Sequence, residues 1–277
     1  MKKIFTFALV LLTALPLMAQ KYGGPAPVNT KTAEYSRESS LSKVELSVEY
    51  PIDGNGDYID AFRSTVMEDL ADLAHIKDDM PLPNSSAVVE EELKIIARDF
   101  ADGAKAWAQE FYEESEEENP YFPQHSLTAT VRKVYNNHRY VTFTSEGYLY
   151  TGGAHGMPWK TYYTLDRTTG HRYLRSDLFP VTVTAKLATI VRRNILSSDE
   201  YRDYIDDPEF GLPKNEGIGL SKEGITFVYD QYEIAGGCVG TPETTVPWQQ
   251  VYSILSLKGK ALSAYDPGNP SASKYVY

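Results

Sequence analysis

The chain has 277 residues, and its 38 acidic and 27 basic side chains give a formal net charge of −11 at pH 7. This length is enough for one large or two small hydrophobic cores. The acidic balance argues against nucleic acid and anionic membranes as partners, because both require a basic surface. It is compatible with a basic protein partner.

The first twenty residues have the pattern of an export signal. Lys2 and Lys3 precede an almost unbroken apolar run over residues 4–17, and Ala19 provides a small residue for cleavage. The sequence therefore predicts a signal peptide over residues 1–20 and a periplasmic or secreted protein. No later segment is long and apolar enough to span a membrane after cleavage. The polar residues 21–40, which include glycines and prolines, are typical of a mobile linker.

Residues 41–124 have the pattern of a first α+β lobe. Residues 41–50 alternate between apolar and polar side chains, which predicts a half-buried strand. Helices are predicted over residues 58–77 and from Ser86 onward, because apolar residues recur there at three- and four-residue steps. The second helix runs into a glutamate-rich segment over residues 113–118. Such a cluster opposes the helix macrodipole, so we expect the helix to fray there.

Residues 125–257 form a second region that is richer in strands. Residues 127–134 and 140–150 flank one turn, and residues 159–165 and 171–174 flank another, so two hairpins are predicted. The later predicted elements are a helix from Thr182, a long polar loop over 198–217, a strand over 225–229, a short edge strand over 244–247 and a closing helix over 248–255. Residues 258–277 are expected to form a loose tail.

The order of these elements predicts the fold class. Strands and helices are interleaved with hairpin turns and not in a regular βαβ series, which favours an α+β fold with antiparallel sheets and flanking helices. Prolines near residues 119–126 predict a boundary between two closely associated lobes. The strand over 41–50 is still a candidate to pair with the hairpin strands beyond that boundary.

Four segments of the second lobe resemble a known family. The family segment Tyr-x-Gly-Gly-Ala-His has its counterpart in Tyr150 to His155. The others are the Asp-x-x-Thr-Gly hairpin at 166–170, Asp-Leu-Phe at 177–179 and Tyr-Glu-Ile-Ala at 232–235. In order and spacing they resemble the domain of unknown function that forms the C-terminal part of the lysozyme-sensing anti-sigma factor RsiV. The resemblance covers about residues 121–255. The chain departs from the family at Gly156, where a proline is common.

Residues 41–124 are similar in hydrophobic pattern to the domain that precedes this one in RsiV and in the peptidoglycan deacetylase PdaC. The chain has a cleavable signal in place of the cytoplasmic segment and membrane helix of an anti-sigma factor. Anti-sigma signalling is therefore not carried over. What the resemblance implies is an exported domain that binds a protein or a glycan.

The candidate site residues lie in and around the glycine segment. Consecutive glycines can form a nest of backbone N–H groups, and His155 could act as a base. A structural loop with a hydrogen-bonded histidine is the favoured interpretation, because glycine clusters first indicate backbone constraints. The candidate binding residues are Tyr150, Gly152, Gly153, His155, Asp166, Tyr232 and Glu233.

Other kinds of chemistry have weaker patterns. The five histidines lack the spacing of metal ligands, so no metal site and no cofactor are predicted. There is no Gly-x-Ser-x-Gly segment around a nucleophilic serine. Cys238 is the only cysteine, which excludes an internal disulfide, and it is expected to be a small buried thiol.

The sequence therefore favours an exported, non-enzymatic protein of the cell envelope. Its expected ligand is a basic protein such as lysozyme, or a peptidoglycan glycan. The alternative is a cell-wall hydrolase or deacetylase-associated enzyme that uses His155 with a nearby carboxylate such as Asp166.

Overall fold

The computed structural model describes residues 27–54, 56–75, 88–116, 121–205 and 207–268. The predicted signal peptide over residues 1–20 lies outside the described residues. So do Ser86, which was the predicted helix start, and the last part of the predicted tail. No helix in the described part of the chain is long and apolar enough to cross a membrane.

The largest element is a six-stranded sheet whose strands lie in chain order. Its strands are β1 (Thr30–Glu38), β2 (Ser42–Pro51), β3 (His125–Asn136), β4 (Tyr140–Tyr150), β5 (Met157–Asp166) and β6 (Arg172–Tyr173). Neighbouring strands are antiparallel except β2 and β3, which are parallel. A parallel pair requires a crossover connection, and the helices of the first lobe provide it.

The pairing of β2 with β3 crosses the predicted boundary between the lobes. Val44, Leu46 and Val48 alternate with polar residues and are buried, as the sequence pattern predicts. They lie in register with Leu127, Ala129 and Val131 of β3. The sheet is therefore continuous across residues 124/125, and the predicted pairing across that boundary is confirmed.

Three helices cover one face of this sheet. α1 (Gly56–Phe62) continues through a π-helical turn over Arg63–Met67 into α2 (Glu68–Ala74), and α3 spans Val89–Glu114. Phe62 of α1 contacts Phe143 of β4 edge to face, with ring centroids 4.8 Å apart. Each large apolar side chain buried in this way contributes about 1.5–3 kcal/mol. The predicted helices of the first lobe are thus present, and α3 remains helical as far as Glu114.

From here on, the first lobe means the six-stranded sheet with its covering helices, and the second lobe means the region from Arg175 onward, which contains a three-stranded antiparallel sheet and short helices. Its elements are α4 (Arg175–Leu178), α5 (Thr184–Leu196), β7 (Gly219–Leu220), β8 (Gly224–Val228), β9 (Glu243–Pro247), α6 (Trp248–Val251) and α7 (Leu257–Leu262). Leu187 and Val191 of α5, Phe227 of β8 and Trp248 of α6 lie in one buried core. The architecture is the mixed α+β fold that the sequence predicts.

Buried threonines join the two lobes. Thr142 of β4 and Thr164 of β5 are cross-strand neighbours whose hydroxyl oxygens lie 3.1 Å apart. Thr164 Oγ1 donates to the Ile218 carbonyl at 2.8 Å and accepts the N–H of Leu220 at 3.1 Å. Thr142 donates to the Leu220 carbonyl at 2.7 Å. These bonds attach the segment that leads into β7 to the large sheet, so the lobes are closely associated.

Two terminal segments differ from the prediction. Thr30–Glu38, part of the predicted linker, forms β1; Ala33 is buried against the core, while the other positions are partly or fully exposed and half of them carry charged side chains. Edge strands often carry such charges, and here they obscure the alternation. The predicted loose tail begins with α7, whose start is capped by Ser256 and whose Leu262 is buried.

Cys238 also differs from the prediction. Its thiol is exposed, whereas the sequence analysis expects it to be buried. It lies in a single helical turn over Gly237–Val239 at the surface. That short turn has no buried residues, so a small apolar side chain in it remains in contact with solvent.

His125, at the start of β3, gives the fold a defined pH dependence. Only 1% of the residue is exposed, its ring lies 4.8 Å from that of Phe122, and Nδ1 has no hydrogen-bond partner among the described residues. Burial lowers the pKa of His125 below the ordinary value of 6.5. Between that lowered pKa and pH 6.5 the unfolded chain binds more protons than the folded chain. The contribution of His125 to stability should therefore be fully present above about pH 6.5 and be lost as the pH decreases through this window.

Urea unfolding at several pH values between 7.5 and 5 measures this dependence. A His125→Phe variant should lose most of it. The pKa of His138 is also lowered, by burial and by Arg139 and Arg167, so a His138→Gln variant serves as the control. If the pH dependence of stability is unchanged in His125→Phe and lost in His138→Gln, then His138 causes it and the prediction for His125 is wrong.

Candidate functional site

The glycine segment is the loop between β4 and β5. Gly152 and Gly153 have φ angles of +101° and +86°, a region that side-chain-bearing residues seldom adopt. The Tyr150 hydroxyl donates to the Gly153 carbonyl at 3.0 Å. The consecutive glycines thus provide the left-handed backbone that turns the chain between the two strands. We call residues 151–156 the glycine loop.

Gly156 closes the glycine loop through a close approach of its backbone to Tyr148. Its N–H donates to the Tyr148 hydroxyl at 2.7 Å. A Cβ atom at this position would lie 2.6 Å from Cζ of that ring and still closer to the Leu149 carbonyl oxygen. Glycine is required here by space and not by its φ angle.

His155 is exposed and contacts a residue far away in the sequence. Its Nε2 lies 2.7 Å from the Tyr232 hydroxyl, and its Nδ1 lies 3.3 Å from the Gly156 carbonyl. Among the described residues, no carboxylate is hydrogen-bonded to the ring. His155 and Tyr232, both candidates from the sequence, are therefore brought together, and the contact joins the glycine loop to the second lobe.

Tyr232 is held in an unusual backbone conformation. Its φ of +67° makes it the single residue other than glycine with a positive φ in the described part of the chain. Such a conformation costs about 1 kcal/mol or more and is retained only where the surroundings fix it. A Cβ at Gly237 would collide with the Tyr232 ring, so that glycine makes room for it. The ring is 57% exposed beside His155.

Glu233 stabilises the backbone next to Tyr232. One carboxylate oxygen accepts the N–H of Asp230 at 2.9 Å, and the other accepts the N–H of Lys214 at 2.7 Å. The side chain is half-buried and hydrogen-bonded. It attaches the long loop over 198–217 to the turn that carries Tyr232.

Asp166 does not belong to this site. In the β4–β5 register it pairs with Tyr140, whereas Met157, next to the glycine loop, pairs with Leu149. The nine residue steps from Met157 to Asp166 along β5 span roughly 30 Å at about 3.3 Å each. The predicted use of His155 with Asp166 is therefore wrong, because the two residues lie at opposite ends of one hairpin.

The contacts of Asp166 are those of a turn residue. One oxygen accepts the N–H groups of Thr168 and Thr169 at 2.8 Å each, and the other accepts the Tyr173 hydroxyl at 2.6 Å. Burial acts to raise the pKa of Asp166, but these hydrogen bonds outweigh it and hold the pKa below the usual range. The carboxylate is an anchor for the β5–β6 turn.

Two exposed aromatic side chains around this end of the sheet are not among the residues predicted from the sequence. Tyr148 is exposed beside the glycine loop, and Tyr121 is exposed in the segment before β3. A Cβ at Gly152 would lie 3.4 Å from Pro123, which places that segment against the glycine loop. Tyr148 could have been found, because it alternates with Leu149, which is buried.

The described residues also form a cleft elsewhere. It has a volume of about 360 Å³ and is lined by Asp69, Asp72, Leu73, Trp159, Thr161 and Tyr163. The Tyr163 hydroxyl donates to Asp69 at 2.8 Å. None of the candidate site residues lines this cleft. Within the described ranges, no group of three or more His, Cys, Asp and Glu side chains is arranged to hold a metal ion.

Together, the fold and the site define an α+β protein of two joined lobes with an exposed histidine–tyrosine contact on a glycine loop. Two segments of the chain match family models. Residues 38–158 match the model described as Deacetylase PdaC, and residues 176–249 match the model described as Protein of unknown function (DUF3298). The first match continues past residues 124/125 to the start of β5. The resemblance is confirmed for these two kinds of domain, and the relation to RsiV itself stays a prediction.

Among the solved structures that are similar to this chain, two align with most of its length. A member of the DUF3298 family from Bacteroides fragilis has a TM-score of 0.64 and 16% identity, and the alignment covers 85% of this chain and 96% of that one. A DUF3298 family protein from Pseudomonas aeruginosa has a TM-score of 0.56 and 19% identity, and the alignment covers 86% of this chain and 97% of that one. At these identities the likeness shows the fold alone. No curated protein matches the chain in sequence.

Proposed function

We propose that this protein is an exported, non-enzymatic binding protein of the cell envelope that binds a protein or glycan ligand at the glycine loop. The observation that carries the proposal is the exposed contact between His155 and Tyr232, with Tyr148 beside it. Tyrosine is enriched where proteins bind partners, because its rigid ring buries a large area and its hydroxyl forms hydrogen bonds.

Binding is favoured over acid–base catalysis by the partners of His155. A catalytic base is usually oriented by a second polar group, most often a carboxylate. Here the ring is bonded to a tyrosine hydroxyl and a backbone carbonyl, and Asp166 is engaged in a distant turn. Export is supported by the basic start and apolar run of residues 1–20.

The experiment is a calorimetric titration of residues 21–277 with hen lysozyme and, separately, with soluble peptidoglycan fragments. Binding to one of them is the expected result. The proposal is overturned if neither binds and the protein hydrolyses or deacetylates wall fragments in an activity that His155→Ala abolishes.

Tyr232→Asn should weaken that binding about tenfold, the loss that removal of one central aromatic contact causes at an interface. Asparagine is chosen because it tolerates a positive φ, so the backbone is retained. Tyr204→Asn is the matched control, since Tyr204 is also 57% exposed but lies in a different surface turn, Arg202–Tyr204. Equal losses of affinity in both variants would show that Tyr232 is not part of the binding site.

A further inference from the structure

The apolar stripe of α3 continues beyond the core that it covers. Leu93, Phe100, Ala104 and Ala108 are buried along one side of the helix. At the end of the helix the same side continues into large side chains that are exposed: Trp107, Phe111 and Tyr112. An amphipathic helix normally buries its apolar side, so an exposed continuation indicates a surface for another molecule.

The segment before β3 extends this aromatic surface. The Phe122 ring lies 5.7 Å from Phe111 and 6.2 Å from Tyr112, and it is itself buried. Its neighbour Tyr121 is 82% exposed. Packing of Phe122 under Phe111 and Tyr112 holds the rings in place, so the aromatic surface is preformed.

The charged side chains described in the last turn of α3 and just after it have one sign. Glu113, Glu114 and Glu116 are exposed there, and the last turn contains no basic residue. The C-terminal end of a helix carries a partial negative charge, so each carboxylate there is unfavourable by about 0.3–1 kcal/mol. Nevertheless, the helix continues to Glu114. A cationic partner would relieve this repulsion.

We propose that these residues form a docking surface for a basic, amphipathic segment of a partner protein. The surface, called here the α3 end surface, consists of Trp107, Phe111, Tyr112 and Tyr121 with Glu113, Glu114 and Glu116. The rings provide the apolar contact, and the glutamates select lysine and arginine over acidic side chains. A second copy of this chain is disfavoured as the occupant, because a symmetric contact would bring the same glutamates together.

The proposal does not depend on the ligand of the glycine loop. The glycine loop is adjacent to residues 121–124, but its His155–Tyr232 contact shares no residue with the α3 end surface. The two surfaces are therefore tested with different probes and different variants, and either one can fail alone.

The test uses a short synthetic amphipathic peptide of leucine and lysine, and the same peptide with glutamate in place of each lysine. The lysine peptide should bind residues 21–277 in fluorescence anisotropy, and the glutamate peptide should not. A Glu113→Gln, Glu114→Gln, Glu116→Gln variant should weaken binding of the lysine peptide about tenfold and reduce its salt dependence. Trp107→Ala should weaken binding without reducing the salt dependence.

Matched controls separate this surface from the general acidity of the protein. An Asp199→Asn, Glu200→Gln, Asp203→Asn variant removes the same charge from an exposed segment elsewhere, and Leu257→Ala removes an exposed apolar side chain of α7. Neither should affect binding. Circular dichroism checks that the variants remain folded. The proposal is overturned if the control charges matter as much as the glutamates at the end of α3, or if light scattering shows a concentration-dependent dimer that Trp107→Ala abolishes.

Discussion

Replacing Thr164 with valine is expected to lower the free energy of unfolding by about 3 kcal/mol, because two buried backbone groups lose their partner. Thr164 is fully buried, and its hydroxyl bonds both the Ile218 carbonyl and the N–H of Leu220. Valine has nearly the same shape, so the change removes hydrogen bonds with little change in volume. Urea denaturation at pH 7.5 measures the effect.

Thr144→Val is the matched control for this prediction. Thr144 lies on the same face of the sheet, two residues from Thr142, and is equally buried. Its hydroxyl has no hydrogen-bond partner among the described residues. Removing that hydroxyl should be neutral or stabilising, because a buried polar group without a partner already costs free energy in the folded state. A loss in Thr144→Val as large as in Thr164→Val would mean that cavity formation, and not hydrogen bonding, determines both values.

Urea unfolding of Thr164→Val also tests whether the two lobes unfold together. The threonine bonds lie at the junction, where Tyr140 of β4 belongs to the core of the second lobe and Phe143 to that of the first. If these bonds couple the lobes, Thr164→Val should broaden or split a transition that is single in the wild-type protein. Near-ultraviolet circular dichroism and tryptophan fluorescence would then give different midpoints.

The elements that sequence could predict are those whose side chains follow one regular period. β2 alternates cleanly between buried apolar and polar residues, and α3 has apolar residues at helical steps. β1 was missed because a single small residue, Ala33, is buried in it while its other positions are partly or fully exposed. Its assignment depends on pairing with β2, which is a tertiary property.

Residues of the site were predictable where they are close in the sequence. Tyr150, Gly152, Gly153 and His155 lie in one loop, and the glycine pattern indicated its backbone correctly. The addition of Tyr232 was suggested by family resemblance, and its contact with His155 crosses the two lobes. Asp166 was misplaced because the length of β5, which separates it from the glycine loop, follows from strand register and not from residue type.

Gly156→Ala is expected to destabilise the protein by about 1–3 kcal/mol and to reduce ligand binding at the glycine loop. This destabilisation is the usual cost of adding a methyl group where the surrounding atoms leave no room for it. The new Cβ would collide with the Leu149 carbonyl and the Tyr148 ring, so either the loop or the ring must move. Movement of the ring breaks the bond between the Gly156 N–H and the Tyr148 hydroxyl.

Gly236→Ala is the matched control, since a Cβ there meets nothing within 4 Å and its φ of −58° is ordinary. It should leave both stability and binding nearly unchanged. Thermal unfolding gives the first quantity, and titration with whichever probe binds the wild-type protein gives the second. If Gly156→Ala is destabilised but binds normally, Tyr148 supports the loop without contacting ligand. If Gly156→Ala is as stable as Gly236→Ala, the close approach at Tyr148 is not what fixes the glycine loop, and the position could accept the proline that is common in the resembling family.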